Sequence, residues 1–251
     1  MPEATFGNVT PTEAVNAMQR RQQVPVETFS WWDIWQHEHS QAFTVAKTAG
    51  FDVLSDIQEA VKGALEDGTT FAIFQKKLIP ILQEKGWWGR APALDPETGE
   101  SPVSQLGSPR RLQIIFDTNM RTSYAAGRWA RFQRTKADRP YLMYSAVLDN
   151  RTRPQHRAWH GTTLPIDDPW WQTHFPPNGW NCRCTVVSLS EEQHARMHAA
   201  GQIKTQAPPT EMVEFRNNRT GEIATVPKGI DPGFGYNVGT AFLEALKEGQ
   251  P

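Results

Sequence analysis

The spacing of apolar residues predicts that residues 1–90 form a small bundle of antiparallel helices. The run Thr10-Pro11-Thr12-Glu13 places an N-cap, a first-turn proline and a capping-box glutamate in the order typical of a helix start. Gly50, Gly68 and Gly86 stand where the later helices are expected to end. The predicted helices cover about 11–22, 31–47, 51–66 and 70–85.

The second half of the chain combines one long helix with short strands. Residues 91–107 are rich in proline and glycine, so we expect a loop there, with or without a short hairpin. Ser108 and Pro109 begin the longest predicted helix, and its Gly127 would allow another backbone to approach closely. The elements expected in this half are a helix over 108–136, strands over 142–148 and 184–189, a helix ending near 198, a hairpin over 212–227 and a helix over 239–247.

These patterns predict an α+β protein. It has an N-terminal helical bundle, one long central helix and a small C-terminal β/loop module. The expected organisation is a helical region at 1–90, a loop at 91–107, and the long helix with the α+β core module at 108–251.

Bulk composition adds few functional constraints. The chain has 251 residues, with 26 Lys and Arg against 27 Asp and Glu, so no global charge attracts nucleic acid or membrane. No apolar run approaches the ~18 residues that a membrane span requires. The N-terminal residues lack the pattern of a signal peptide, which predicts synthesis in the cytosol and no membrane partner. Ten tryptophans, several in adjacent pairs, indicate wide packing surfaces or contacts with a partner.

The predicted long helix carries a local excess of positive charge. Residues 108–139 hold eight basic residues against two acidic ones. One interpretation is an ordinary solvated helix face, and the other is a contact with an acidic partner or with packaged nucleic acid. The residues proposed for a phosphate or partner contact are Arg121, Arg128, Arg131 and Arg134.

Residues 148–187 concentrate the metal-binding residue types of the chain. Cys182 and Cys184 are the two cysteines of the protein, and a disulfide between residues so close would be strained. In an extended segment they share a face, as do His156 and His160 if residues 154–161 are helical. These four residues would complete a tetrahedral site for one structural zinc, with Asp149 or His174 able to replace a ligand.

A metal-free interpretation of the same segment also fits the residues. In it, Asp149 pairs with Arg151, Arg153 or Arg183, and the cysteines pack as small apolar groups. The sequence leaves both interpretations open.

Catalysis is the third possibility for this segment. Asp149, Arg151 and His156 could form an acid–base or metal-nuclease cluster, or a cysteine could act as nucleophile with His156 as its base. Neither arrangement matches the sequence motif of an enzyme class with a known mechanism. His194 and His198 are also four residues apart, but they lack the glutamate of H-E-x-x-H and are expected on an exposed helix face.

Four motifs, taken in order, resemble the phage Mu F-like minor head proteins of the phage head morphogenesis family. The resemblance covers about residues 10–240, and its central block is the most specific part. The motifs are WWDIWQHEHSQAFTVAK at 31–47, RRLQIIFDTNMRTSYAAGRW at 110–129, YSAVLDNRTRPQHRAWHG with PPNGWNCRC within 144–184, and VPKGIDPGFGYN at 226–237.

The resemblance implies a noncatalytic virion protein that associates with the portal and the procapsid interior. It implies portal, major capsid or scaffold proteins and packaged DNA as partners, with a location inside the head and in the host cytoplasm during assembly. Some family members carry a cysteine pair after the D-x-R-T element, where this chain has Arg153 and His156. His156, Cys182 and Cys184 then become ligand candidates, and His160 is our choice for the fourth. The structural motif residues are Asp149, Arg151, Thr152, Gly161, Pro177, Trp180, Asn181 and Arg183.

Overall fold

The computed structural model describes residues 11–22, 25–34, 38–218 and 220–248, and it confirms an α+β protein. The described residues form two compact units. The first contains those of 1–30 and 43–127, and the second those of 31–42 and 128–251.

The secondary structure follows most of the predicted order. The helices are α1 (Thr12–Gln22), α2 (Glu38–Gln41), α3 (Leu54–Asp67), α4 (Phe71–Glu84), α5 (Pro109–Arg134), α6 (Pro154–Trp159), α7 (Trp171–His174), α8 (Glu191–Ala199) and α9 (Val238–Glu248), with a 3-10 turn at Trp31–Asp33. The strands are β1 (Arg90–Pro92), β2 (Val103–Gln105), β3 (Tyr141–Ser145), β4 (Thr163–Pro165), β5 (Thr185–Leu189), β6 (Met212–Arg216) and β7 (Ile223–Pro227). Among the described residues, every helix is either too short or too polar to cross a bilayer.

The first unit is built around apolar stripes on its helices. Ile57 and Val61 of α3 and Leu78 and Leu82 of α4 are fully buried, at the spacing that the periodicity predicted. Gly68 ends α3 in the left-handed conformation, and its N–H bonds the carbonyl of Ala64. The predicted ends of these two helices are therefore close to the observed ones.

Gly127 lies where the long helix meets the backbone of α1, as expected. A Cβ atom at Gly127 would stand 2.8 Å from the backbone nitrogen of Ala14, closer than real contacts allow. The predicted loop at 91–107 contains the optional hairpin, since β1 pairs antiparallel with β2.

The predicted helix at 31–47 is wrong. Its described residues hold only a 3-10 turn and the four-residue α2, while the chain after α2 is extended. Isolated parallel bridges join Pro25 to Phe43 and Thr28 to Ala46. The segment 43–45 places an aromatic and two β-branched side chains in the core, and these residue types favour extended backbone. Tertiary pairing has overridden the helical spacing.

The tryptophan pairs mainly serve internal packing. Trp87 and Trp171 are fully buried and Trp170 is nearly so. The indole N–H of Trp87 donates to the carbonyl of Lys47 at 2.6 Å. The other three members of these pairs, Trp31, Trp32 and Trp88, are partly exposed.

The second unit contains a three-stranded antiparallel sheet in the order β4-β3-β5. Met143 of β3 pairs with Thr163 on one side and with Val187 on the other. The predicted hairpin is formed by β6 and β7, and α8 begins with a capping box formed by Ser190 and Gln193. The sheet and α6 bring the ends of the 148–187 segment together.

Candidate metal centre

Asp149 anchors the loop that follows β3. Its carboxylate accepts two hydrogen bonds from the Arg183 guanidinium, at 2.7 and 2.6 Å, and one from the N–H of Arg151 at 3.1 Å. The hydroxyl of Thr152 donates a fourth, at 3.2 Å. The Arg183 hydrogen bonds hold the pKa of the Asp149 carboxyl well below its usual range. The loop is thus fixed to the Cys182–Cys184 segment by a bidentate ion pair.

Helix α6 presents His156 to the interior. Pro154 occupies its first turn, where the missing N–H costs nothing, and the His156 side chain is 2% exposed. The Nε2 atom lies 2.8 Å from the carbonyl oxygen of Gly229. Because a carbonyl only accepts, Nε2 carries the proton and Nδ1 keeps its lone pair.

Cys182 and Cys184 face the lone pair of His156. Their Sγ atoms lie 3.7 and 3.5 Å from its Nδ1 atom, and the three potential ligand atoms are all within 4.8 Å of one another. The alternation of an extended C-R-C segment explains the geometry, since both sulfurs point inward while Arg183 points to Asp149. We call His156, Cys182 and Cys184 the ligand cluster.

A hydrogen bond between the two cysteine side chains shifts their pKa values in opposite directions. The hydrogen bond from Cys184 lowers the pKa of Cys182 well below its ordinary value. The same hydrogen bond together with burial raises the pKa of Cys184. Both cysteines are free of any disulfide.

Buried polar groups surround the sulfurs. The Tyr144 hydroxyl donates to the side-chain oxygen of Asn178 at 3.0 Å and also lies within hydrogen-bonding reach of Cys184. Burial raises the pKa of Tyr144 well above its ordinary value. The backbone N–H of Asn178 reaches Cys182. These contacts supply hydrogen-bond partners to polar groups that are buried around the sulfurs.

A second ion pair joins Arg153, immediately before α6, to Asp231. One Asp231 oxygen accepts from the Arg153 guanidinium at 2.7 Å and from the N–H of Trp180 at 2.8 Å. Arg153 also donates to the Trp180 carbonyl at 3.1 Å. Gly179 makes this approach possible, because a Cβ atom there would lie 2.3 Å from the same Asp231 oxygen. Arg153 therefore pairs with Asp231 and not with Asp149, the partner considered from sequence.

The structure does not bring His160 into the ligand cluster. Helix α6 ends at Trp159, and the extended backbone of His160 turns its ring away, where Nδ1 accepts the N–H of Ala146 at 3.1 Å. His174 also lies outside, stacked on Trp170 with ring centroids 4.4 Å apart. Burial lowers the pKa of His174 to about 4. The helix that would have aligned His156 with His160 is one residue too short.

The other predicted motif residues shape the loops around the cluster. Gly161 has a φ of 79°, and its N–H bonds the carbonyl of Tyr144 at 2.9 Å. Asn181 has a φ of 57°, in the region that asparagine tolerates well. Pro177 is buried, and Trp180 packs edge-to-face with Trp31, with ring centroids 4.6 Å apart. Arg151 is largely exposed, with a long 3.9 Å contact to Asp149.

The four arginines proposed for a phosphate or partner contact do not all face solvent. Arg128 is half-buried and donates to the hydroxyl of Thr185, and Arg121 pairs with Asp117 one helical turn away at 3.3 Å. Arg131 and Arg134 are exposed. The excess charge of the long helix is thus partly used in internal contacts.

Sequence reasoning missed four residues that surround the cluster. Tyr144, Asn178, Gly229 and Asp231 contact the ligands or their flanking segments, but none is itself a typical metal ligand in this pattern. Their only signal was a location inside the family motifs: Tyr144 begins the motif at 144–161, and the other three lie in the motifs at 176–184 and 226–237.

The donor set of the ligand cluster suits a borderline-soft divalent ion. Thiolate sulfur and neutral imidazole are the ligands that zinc prefers, and the Nδ1 lone pair already points at both sulfurs. Among the described residues the cluster supplies three ligands, whereas a closed structural zinc site uses four. A water molecule or another donor would complete the tetrahedron.

Comparison with known proteins gives consistent matches. The family model described as Phage Mu protein F like protein matches residues 55–187. The chain is 42% identical over 228 residues to "Putative capsid assembly protein F" of Escherichia phage Mu, which covers 85% of the chain and 51% of that protein. It is 40% identical over 227 residues to the "Mu-like prophage FluMu F protein" of Haemophilus influenzae, covering 85% and 53%.

A third, shorter match is to an uncharacterized protein of Methanocaldococcus jannaschii, 33% identical over 82 residues. That alignment covers 32% of this chain and 12% of the archaeal protein. The chain spans about half the length of the two phage-type relatives. No solved structure matches the chain.

Proposed function

Because the chain belongs to the Phage Mu protein F like family, we propose that it is a noncatalytic head-assembly protein of a tailed phage. The observation that carries the proposal is the 42% identity to a protein named for capsid assembly, over 85% of this chain. The family match at 55–187 includes the motifs at 110–129 and within 144–184 that first suggested the family. The proposed place of the protein is the interior of the virion head, and the host cytoplasm during assembly.

The proposed partners are the portal protein and the major capsid or scaffold proteins. The test is to interrupt the gene in the phage or prophage that encodes this chain and to supply the protein from a plasmid. We expect cells that lyse on schedule but release few DNA-filled heads, with full recovery on complementation. A normal yield of filled heads and infectious particles from the interrupted phage would contradict an assembly role.

Packaged DNA is a further proposed partner, supported by the exposure of Arg131 and Arg134 on the long helix. Binding to linear duplex DNA should weaken steeply with salt, because each phosphate contact releases counterions. The double change Arg131→Glu with Arg134→Glu should lower the slope of log K against log salt by about two. A matched control changes Lys76 and Lys77, exposed on α4, to glutamate. Salt-insensitive binding, or equal loss in both variants, would exclude this DNA contact.

We also propose that the ligand cluster holds one structural zinc ion. The support is geometric: three donors converge, and a hydrogen bond to Gly229 leaves the His156 lone pair facing the sulfurs. Elemental analysis of the parent should give about one zinc per chain, and the double change Cys182→Ser with Cys184→Ser should remove it and lower the melting temperature strongly. A parent that purifies without metal after expression in zinc-supplemented medium would refute the zinc assignment.

A metal-dependent hydrolase is the second candidate, favoured by the three-ligand count, since catalytic zinc sites keep one position open. Against it, the Asp149 carboxylate accepts four hydrogen bonds and is fully engaged. A hydrolase should degrade plasmid DNA in the presence of zinc, magnesium or manganese, and His156→Ala should abolish the degradation. Inactivity with all three metals would exclude the nuclease version.

A further inference from the structure

Residues 228–233, with the sequence KGIDPG, reach the ligand cluster from a distant part of the chain. The Gly229 carbonyl accepts the hydrogen bond from His156, 73 residues earlier. Asp231 bonds Arg153 and Trp180, which are 78 and 51 residues away. The Asp231 N–H also donates to the Asn178 carbonyl at 3.0 Å. We call residues 228–233 the KGIDPG segment.

The Gly229 carbonyl decides how His156 faces the sulfurs. A neutral imidazole has one protonated nitrogen, and a carbonyl 2.8 Å from Nε2 requires the proton there. The same contact fixes the rotation of the ring, so that Nδ1 lies 3.5 Å from Cys184 and 3.7 Å from Cys182. Histidines that bind metals usually donate their second N–H to a carbonyl or carboxylate in this way.

The position of that carbonyl depends on the absence of a side chain at Gly229. Its φ is +93°, in the left-handed region that favours glycine. A Cβ atom would lie 2.6 Å from the Cβ of Gln155, the residue immediately before His156. Any larger residue must therefore push the KGIDPG segment away from α6 and lengthen the hydrogen bond to His156.

Asp231 holds the two ligand-bearing segments at a fixed separation. Arg153 immediately precedes α6, which carries His156, and Trp180 lies two residues before Cys182. One carboxylate oxygen bonds both, at 2.7 and 2.8 Å. A shift of either segment would break a charge-assisted hydrogen bond in a partly buried site, so the pair resists changes in the sulfur–imidazole distance.

We propose that the KGIDPG segment positions the metal ligands without being a ligand itself. Gly229 sets the tautomer and orientation of His156, and Asp231 sets the distance between α6 and the Cys182–Cys184 segment. This inference rests on the proposed zinc site. It assigns a role to a motif that the head-assembly function alone leaves unexplained.

The test compares Co²⁺ and Zn²⁺ binding by the full chain and by three variants. Gly229→Ala adds the colliding Cβ, and Asp231→Asn keeps the size but removes the charge. Gly221→Ala is the matched control, because Gly221 also has a positive φ of 78° but nothing lies within 4 Å of an added Cβ. Visible absorption of bound Co²⁺ reports thiolate coordination, and competition with a chelator gives the affinity for Zn²⁺.

We expect Gly229→Ala and Asp231→Asn to bind Zn²⁺ at least about tenfold more weakly than the parent, the usual size of such effects. Gly221→Ala should bind like the parent. In the metal-free protein, nitrogen NMR should find His156 protonated on Nε2 in the parent, and a mixture of tautomers in Gly229→Ala. A merely structural role would lower the melting temperature without changing tautomer or affinity in protein that remains folded by circular dichroism.

The outcomes separate the two proposals. A parent that binds neither ion refutes the zinc site. A parent that binds tightly, with Asp231→Asn and Gly229→Ala binding equally well, refutes only the positioning role. Equal losses in Gly229→Ala and Gly221→Ala would also refute it, because the loss would then come from backbone strain alone.

Discussion

The core of the first unit and the surroundings of the ligand cluster are stabilised in different ways. The first core consists of apolar side chains from α3, α4 and α5 at helical spacing, such as Ile57, Leu82 and Leu112. The ligand cluster is surrounded by ion pairs, stacked aromatic rings and buried polar groups, including Asp149, Asp231 and His174. The stability of the first core depends on how completely its side chains fill the interior, whereas that of the cluster's surroundings depends on charge and hydrogen-bond geometry. Substitutions that create a cavity should therefore affect the first, and changes of pH or salt the second.

The largest effect is expected from a cavity in the helical core. Leu82→Ala removes a fully buried side chain and should lower the free energy of unfolding by about 3 kcal/mol, with no dependence on pH or salt. Ile81→Ala, one position earlier and 40% exposed, is the control and should cost much less. Urea denaturation measures both. Equal losses in the two variants would mean that α4 is not packed as described.

Acidification should act on the second unit through His174. Its folded-state pKa of about 4 lies below the ordinary value of 6.5, so the unfolded chain binds the proton more tightly. Stability from neutral His174 is therefore fully present above about pH 6.5 and falls as the pH drops toward 4, by at most about 3 kcal/mol. His174→Phe should flatten this dependence, whereas His198→Gln, an exposed position, should not. An unchanged pH profile in His174→Phe would contradict the assignment.

The smallest loss of stability is expected when the partly exposed ion pair between Asp149 and Arg183 is removed. Asp149→Asn removes the bidentate pair with Arg183 and should lower the melting temperature more at low salt than at high salt. Asp167→Asn breaks the exposed pair with Lys136 and serves as control, with almost no change expected. Thermal melts at two salt concentrations decide the matter. A salt-independent loss would show that Asp149 acts through its backbone contacts instead.

Local patterns predicted the parts of the fold that local interactions determine. Helices α3 and α4 and the β6–β7 hairpin follow from the spacing of apolar residues and from turn residues. The extended segment at 43–45 was predicted as helix. Its extended backbone depends on bridges that join Phe43 and the nearby Ala46 to Pro25 and Thr28, and the spacing within the segment does not reveal these partners. Tertiary pairing of this kind leaves no periodic signal.

In the candidate site, too, the contacts between residues close in sequence were predictable, and the distant ones were not. The alternation of C-R-C and the turn of α6 predicted that three of the four candidate side chains converge, since both depend only on neighbouring residues. His160 was misplaced because helix ends are the least certain part of a periodic pattern, and α6 stops one residue before it. Gly229 and Asp231 could not be assigned, because glycine and a single aspartate reveal a contact 73 or 78 residues away only after folding.

The separation of the site residues along the chain also bears on the order in which their contacts form during folding. His156 and Cys184 are 28 residues apart, whereas Gly229 lies 73 residues from His156. Closing the shorter loop costs less conformational entropy, so the sulfurs and the imidazole can meet before the KGIDPG segment arrives. On a nascent chain, the three side chains would then meet with the imidazole still free to rotate, and the hydrogen bond to Gly229 would form last.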